Sequence, residues 1–256
     1  MVFPGFIGHS YQVHVRTYGP DDAPPVLLLH GGGVAGWMWE PVRTRIGDRM
    51  RFIVPDLPGH DNSATEPYLS HEDTVSRLVK LLDDTGEVAV VGFSLGAQLA
   101  VLLASQRPDL VRHAVVVSAQ AKPTPAPGLT LSLLKSTAGL ARQDWFAKTQ
   151  ARTLFIPPSL LDDYLRTSRS LSKETLVNAV GENIRFTLPP EWADFPGRAW
   201  ILAGAKERGF MRHSALALHD AVAIGDVDIV ADCGHGIPLQ RPDWFADRLA
   251  ERLLGG

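Results

Sequence analysis

Apolar residues in this chain fall into two alternating kinds of segment: short, β-branched runs and longer stretches with apolar positions at helical spacing. Val26-Leu27-Leu28-Leu29, Phe52-Ile53-Val54, Val88-Ala89-Val90-Val91 and Val115-Val116-Val117 are continuous runs, which predicts strands covered on both faces. Ala199 to Gly204 and Val227 to Val230 predict two more strands. Helices are expected over Trp37 to Asp48, Leu95 to Gln106, near Arg212 to Ala223, and over Pro242 to Leu254. Another follows Ser70, whose S-x-x-D box with Asp73 precedes the apolar positions Val75, Leu78, Val79 and Leu82. Phe6 to Tyr18 alternates, as one or two strands of an antiparallel hairpin would. Strands separated by helical lengths imply parallel β-α-β units, hence an α/β chain with a mostly parallel, doubly wound sheet.

The rhythm breaks at Ala121. Lys122 to Gly128 is a proline-rich linker, and no strand signal returns until Arg198. Short helices are expected over Leu129 to Leu140, Gln143 to Leu154, Pro158 to Ser170 and Ser172 to Asn183. The organisation predicted is a core formed by residues 1–120 and 197–256, interrupted by a helical cap over 121–196.

One stretch carries most of the chemical information. Val88 to Val91 reads as a buried strand that turns directly into the helix starting at Leu95. The turn between them is Gly92-Phe93-Ser94-Leu95-Gly96, a G-x-S-x-G sequence. A serine at so sharp a turn needs small neighbours, because both flanks crowd it, and its Oγ then stands exposed at the tip. The helix N-terminus beneath it offers N–H groups to a developing negative charge. Val88 to Ser105 contains no charged residue, but its glycines, Ser94 and Gln98, with its β-branched first half, argue against a membrane helix.

In parallel sheets ligands bind at the carboxyl ends of the strands. Past those ends lie His30-Gly31-Gly32-Gly33, Ser94, Gly204-Ala205-Lys206-Glu207 and Asp232-Cys233-Gly234-His235. A serine hydroxyl needs a base to take its proton, and the base needs a carboxylate to fix its tautomer and balance its charge. Ser94, Glu207 and His235 supply those three groups in the order serine, acid, histidine. Trp37, Met38 and Trp39 could line a pocket or pack in the core. His9, His14, His71, His113, His213 and His219 are expected on the surface, while His30 and His60 are expected to hold loops by hydrogen bonds.

Composition narrows the function classes. With 256 residues, 45% of them hydrophobic and 21% charged, the chain has ample material for a core. A net charge of −3 gives no electrostatic reason to expect nucleic acid or an anionic membrane as partner. The single cysteine, Cys233, excludes an internal disulfide and fits a reducing, cytoplasmic setting. Met1 to Gly5 shows no basic region leading into an apolar run, so no secretory signal is expected. No phosphate loop, dinucleotide fingerprint or metal-ligand spacing is visible, and neither a cofactor nor a metal is expected.

These motifs together resemble the α/β-hydrolase-fold serine hydrolases that carry a helical cap. His30-Gly31-Gly32 with Trp39 resembles that family's oxyanion loop, and Pro55-Asp56-Leu57-Pro58-Gly59-His60 its motif after the next strand. Gly92 to Gly96 resembles its nucleophile elbow, and Gly234-His235 with Pro242 its histidine loop. The resemblance implies Ser94 as nucleophile, His235 as base, and the N–H groups of Gly32 and Leu95 as an oxyanion hole. Gly33, Trp37 and Phe93 are the candidates for contacting substrate. Two positions depart from the pattern. Asp61 stands where glycine is usual, which is expected to alter only a loop. Glu207 stands where aspartate is usual, with Asp226, Asp228 and Asp232 as rivals. The implied activity is cofactor-independent hydrolysis of a small-to-medium ester or related acyl compound. Carbon–carbon bond hydrolysis, lyase chemistry, acyl transfer and a ligand-binding receptor with little turnover are the alternatives.

Overall fold

The computed structural model describes residues 13–137 and 143–255. Its strands are β1 (Val15–Tyr18), β2 (Pro25–Leu29), β3 (Arg51–Pro55), β4 (Val88–Phe93), β5 (Val111–Val117), β6 (Arg198–Gly204) and β7 (Gly225–Val230). They form one sheet in the order β1-β3-β2-β4-β5-β6-β7, with β1 antiparallel to β3 and the other pairs parallel. The core helices are α1 (Glu40–Ile46), α2 (His71–Leu82), α3 (Leu95–Gln106), α8 (Gly209–Ala221), α9 (Ile237–Gln240) and α10 (Pro242–Leu254). Between β5 and β6 lie α4 (Pro127–Thr137), α5 (Asp144–Thr153), α6 (Leu161–Ser170) and α7 (Lys173–Arg185).

Side-chain alternation divides the core into two layers. Leu28, Val54, Val91, Val117 and Leu202 face one side of the sheet, where they meet Val42 and Ile46 of α1 and Phe245 and Leu249 of α10. Leu27, Ile53, Val90, Val116 and Ile201 face the other, against α2, α3 and α8. Each such side chain contributes about 1.5–3 kcal/mol by leaving water. The charge-free run of β4 and α3 is explained by this position, since nearly every residue of both is buried. No helix among the described residues is long and apolar enough to cross a membrane.

Three expectations shift. The N-terminal hairpin lies largely outside the described residues, and within them β1 is a single strand whose partner is β3. The helix expected over Trp37 to Asp48 is a 3-10 turn at Gly36–Trp39, then α1, then a 3-10 turn at Gly47–Arg49. Pro41 sits in the first turn of α1, where its missing N–H costs nothing. Of the helix expected over Leu129 to Leu140, the end past 137 lies outside the described residues.

His30 and His60 hold the loops after β2 and β3 as expected. The N–H of Leu57 donates to His30 Nε2 at 2.8 Å, so the ring proton is on Nδ1 and donates to the Gly31 carbonyl at 2.8 Å. His60 donates from Nδ1 to the Pro58 carbonyl at 2.9 Å. His71 corrects the reading, since it is buried rather than on the surface. The Gln98 amide nitrogen donates to the carbonyls of Gln120 and Asn183, which leaves its oxygen to accept from His71 Nε2 at 2.8 Å. The Tyr68 hydroxyl then donates to His71 Nδ1 at 2.8 Å. This network joins α2, α3 and α7. The His71 ring is enclosed by Tyr68, three positions before it, and by Gln98, 27 positions after it.

Burial is the main cause lowering the pKa of all three rings below the ordinary histidine value, most strongly for His30, which also faces His60. Above pH ~6.5 both folded and unfolded rings are neutral, and no penalty arises. Below it the unfolded chain takes up protons that the folded chain refuses, so stability is lost as pH falls. Each ring contributes up to ~1.4 kcal/mol per pH unit. The urea midpoint should therefore be flat from pH 8 to 7 and fall steeply between pH 6.5 and 5. An unchanged midpoint at pH 5.5 would contradict neutral burial.

Candidate active site

Ser94 follows β4 directly and opens α3 with φ 53° and ψ −109°, a backbone that side-chain-bearing residues rarely adopt. The flanking glycines are there for space. A Cβ on Gly92 would lie 2.2 Å from the Gly96 carbonyl oxygen, and one on Gly96 would lie 2.3 Å from that of Leu29. Both obstacles are backbone, so neither can move aside cheaply. The N–H of Ser94 donates to Val117 of β5 at 2.9 Å, which ties the turn to the neighbouring strand.

His235 Nε2 lies 3.0 Å from Ser94 Oγ, and its Nδ1 lies 2.6 Å from Glu207 Oε1. A carboxylate oxygen accepts, so Nδ1 carries the proton and Nε2 is left to accept from the serine hydroxyl. Glu207 is buried, and its Oε2 has no hydrogen-bond partner among the described residues. Arg212 Nη1 donates to the carbonyls of Ala205 and Glu207, which fixes the loop that presents the carboxylate. The glutamate reaches because its loop abuts the histidine loop: a Cβ on Gly204 would lie 2.3 Å from the Gly234 carbonyl oxygen. The rival acids stand elsewhere. Asp226 pairs with Arg252 at 2.6 Å, Asp228 accepts from the Trp200 indole at 2.8 Å, and Asp232 pairs with Lys206 at 3.3 Å.

A cavity of about 240 Å³ opens on Ser94. Gly32, Gly33 and Leu95 form its floor, and Leu171, Leu176, Ala179 and Val180 give it an apolar wall from the inserted helices. Leu95 begins α3, where first-turn N–H groups have no acceptor within the helix, so a negative oxygen beside Ser94 would find donors. Phe93 does not line this cavity; its ring packs on that of His235 with centroids 5.1 Å apart. Trp37 does not line it either. Its indole N–H donates to Thr167 Oγ1 of α6 at 2.9 Å, and its ring meets Tyr164 edge-on.

A hydroxyl, a ring nitrogen and a buried carboxylate in line can strip a proton from the hydroxyl and return it to a leaving group. Residues 26–248 match a family model described as "Alpha/beta hydrolase family". The chain belongs to that family. It is thus an enzyme of the alpha/beta hydrolases. Lipase LipV of Mycobacterium tuberculosis is 30% identical over 267 residues, covering 94% of this chain and 98% of its own. Two solved structures share the fold. An esterase from Thermogutta terrifontis has a TM-score of 0.79 at 19% identity, covering 95% of this chain and 93% of that one. A meta-cleavage product hydrolase from Pseudomonas fluorescens has a TM-score of 0.76 at 19% identity, covering 95% and 94%.

Within this alpha/beta hydrolase, the departure at Asp61 does more than alter a loop. Asp61 takes φ 43°, in the region glycine usually fills, and its buried carboxylate receives Arg166 of α6 through two hydrogen bonds of 3.0 Å. Arg166 also meets Asp163 at 2.6 Å. Trp37 with Thr167, and Asp61 with Arg166, together tether α6 to the loops after β2 and β3. The sequence signal was present, as an acid where glycine is usual, but its partner lies 105 positions away.

The steric reading of the elbow has a direct consequence. Gly96→Ala should lower stability by about 2–4 kcal/mol, because its methyl group meets backbone rather than a movable side chain. Urea denaturation of the two proteins measures it. A difference under ~0.5 kcal/mol, the range of ordinary surface substitutions, would show that the turn has room to spare.

Proposed function

We propose that this enzyme hydrolyses small-to-medium acyl esters through an acyl intermediate on Ser94. The observation that carries the reading is the line Ser94 Oγ, His235, Glu207, at 3.0 Å and 2.6 Å, beside a cavity with an apolar wall. His235 Nε2 takes the hydroxyl proton as Ser94 Oγ bonds to the ester carbonyl carbon. The carbonyl oxygen becomes negative and is held by the N–H groups of Gly32 and Leu95. When the carbon–alkoxide bond breaks, the imidazolium returns the proton to the leaving alcohol. Water then gives a proton to the same nitrogen as its oxygen bonds to the acyl carbon; the carbon–Oγ bond breaks, the imidazolium returns the proton to Oγ, and the acid is released with Ser94 restored.

Glu207 holds the histidine in the tautomer that accepts from serine and balances its charge in both steps. The cavity of about 240 Å³, with Leu171, Leu176, Ala179 and Val180 along one wall, supports an acyl group of small to medium size. The relative described as a lipase and the structural neighbour described as an esterase support ester bonds as the target. The lone cysteine supports a cytoplasmic setting.

A p-nitrophenyl ester series from acetate to octanoate tests the reading. The wild type should turn over the shorter esters, and Ser94→Ala should lose about 10³-fold or more. Glu207→Gln should keep KM while kcat falls by about 10²- to 10⁴-fold, because the amide can favour the wrong tautomer; Glu207→Asp should retain part of the rate. Wild-type turnover by Ser94→Ala, or no turnover of any ester by the wild type, would overturn the proposal.

A further inference from the structure

Ser118 has no part in the chemistry described above. It follows β5 directly, is buried, and holds φ 56°, a left-handed backbone that costs a residue with a Cβ. Its hydroxyl donates to the backbone carbonyl of His235 at 3.0 Å. Its N–H donates to the Leu202 carbonyl of β6 at 2.8 Å, and the preceding Val117 carbonyl accepts from Ser94 N–H at 2.9 Å. Two adjacent residues at the end of β5 therefore bond to the nucleophile's own peptide, to the histidine's own peptide, and to the strand that leads to Glu207.

We propose that Ser118 is a positioning residue for His235: its hydroxyl anchors the histidine's peptide and so sets the ring's reach to Ser94 and Glu207. The proposal rests on the hydrolase reading. The histidine loop is soft by sequence, since Gly234 and Gly236 flank His235 and Asp232 is itself left-handed at φ 60°. The bonds that hold it before the histidine fall on its neighbours. Lys206 N–H donates to the Cys233 carbonyl at 2.8 Å, and Gly234 N–H donates to Gln240 Oε1 at 2.7 Å. After it, Leu239 and Gln240 N–H groups donate to the Gly236 carbonyl. Ser118 acts on the carbonyl of His235 itself. The residue type fits that task. Alanine has no donor, an aspartate would set a carboxylate against a carbonyl oxygen, and glycine would relieve the backbone but supply nothing to the histidine.

That last contrast gives the experiment. Ser118→Gly removes the hydroxyl and relaxes the left-handed backbone, so the protein should fold with a urea midpoint no lower than that of Ser118→Ala, which loses the same hydrogen bond and keeps the strain. Its kcat for p-nitrophenyl butyrate should fall by about ten- to a hundredfold with KM unchanged, the scale expected of a sub-ångström to 1 Å misplacement. Labelling of Ser94 by a fluorophosphonate should slow by the same factor, and Ser118→Ala should reproduce the loss. By proton NMR, the His235 Nδ1–H resonance, held in the 2.6 Å bond to Glu207, should broaden or move upfield in the variant. A folded Ser118→Gly with wild-type kcat, labelling rate and resonance would overturn the proposal. Were the wild type inactive on every ester, the hydrolase reading would fail alone. The resonance would still decide for Ser118: a change supports the anchoring and an unchanged signal refutes it.

Discussion

The whole site depends on one steric constraint, the backbone of Ser94 bent to φ 53° with no room for a side chain at Gly92 or Gly96. Such a turn costs about 1–3 kcal/mol and persists only when its surroundings over-determine it. The surroundings here are β4, buried along its whole length between β2 and β5, and α3, buried on nearly every side. Packing on both faces of the sheet offsets the strain. In return the serine hydroxyl is held at the tip of a rigid element, and the α3 N-terminus lies directly beneath it.

Parallel pairing does the rest of the assembly. Because β4, β5, β6 and β7 run the same way, the segments after them emerge on one edge of the sheet and bring residues 94, 118, 207 and 235 together. Close backbone contact at Gly204 lets a glutamate, one methylene longer than aspartate, meet the histidine at 2.6 Å. The inserted helices close the other side. α6 is tied by Trp37 and Asp61, and α7 by the buried network of Tyr68, His71 and Gln98 that also grips α3, the helix Ser94 opens.

What could be read from the chain beforehand follows from how local each signal is. Strand runs, the capping box at Ser70 and the crowded glycines around Ser94 are local, and the fold they imply is the one found. Ser94, Glu207 and His235 could be gathered because each sits just past a strand, and parallel strands deliver their ends to one edge. Contacts between the loops and the inserted helices were not legible. Trp37 looks like a pocket residue until Thr167, 130 positions on, accepts a hydrogen bond from its indole N–H. Asp61 looks like a loop variation until Arg166 is placed beside it, and His71 looks exposed until Gln98, 27 positions on, is placed against it. Each of these depends on a partner brought close only by the finished fold.

The central claim is that the acyl group passes through Ser94, and trapping it there is the most direct measurement. The enzyme is mixed with p-nitrophenyl butyrate, quenched in acid within the first turnovers, digested and read by mass spectrometry. The expected result is a butyryl adduct on the peptide carrying Ser94, formed as fast as the first p-nitrophenol is released. An adduct on any other residue would contradict it, as would burst release of p-nitrophenol with Ser94 unmodified.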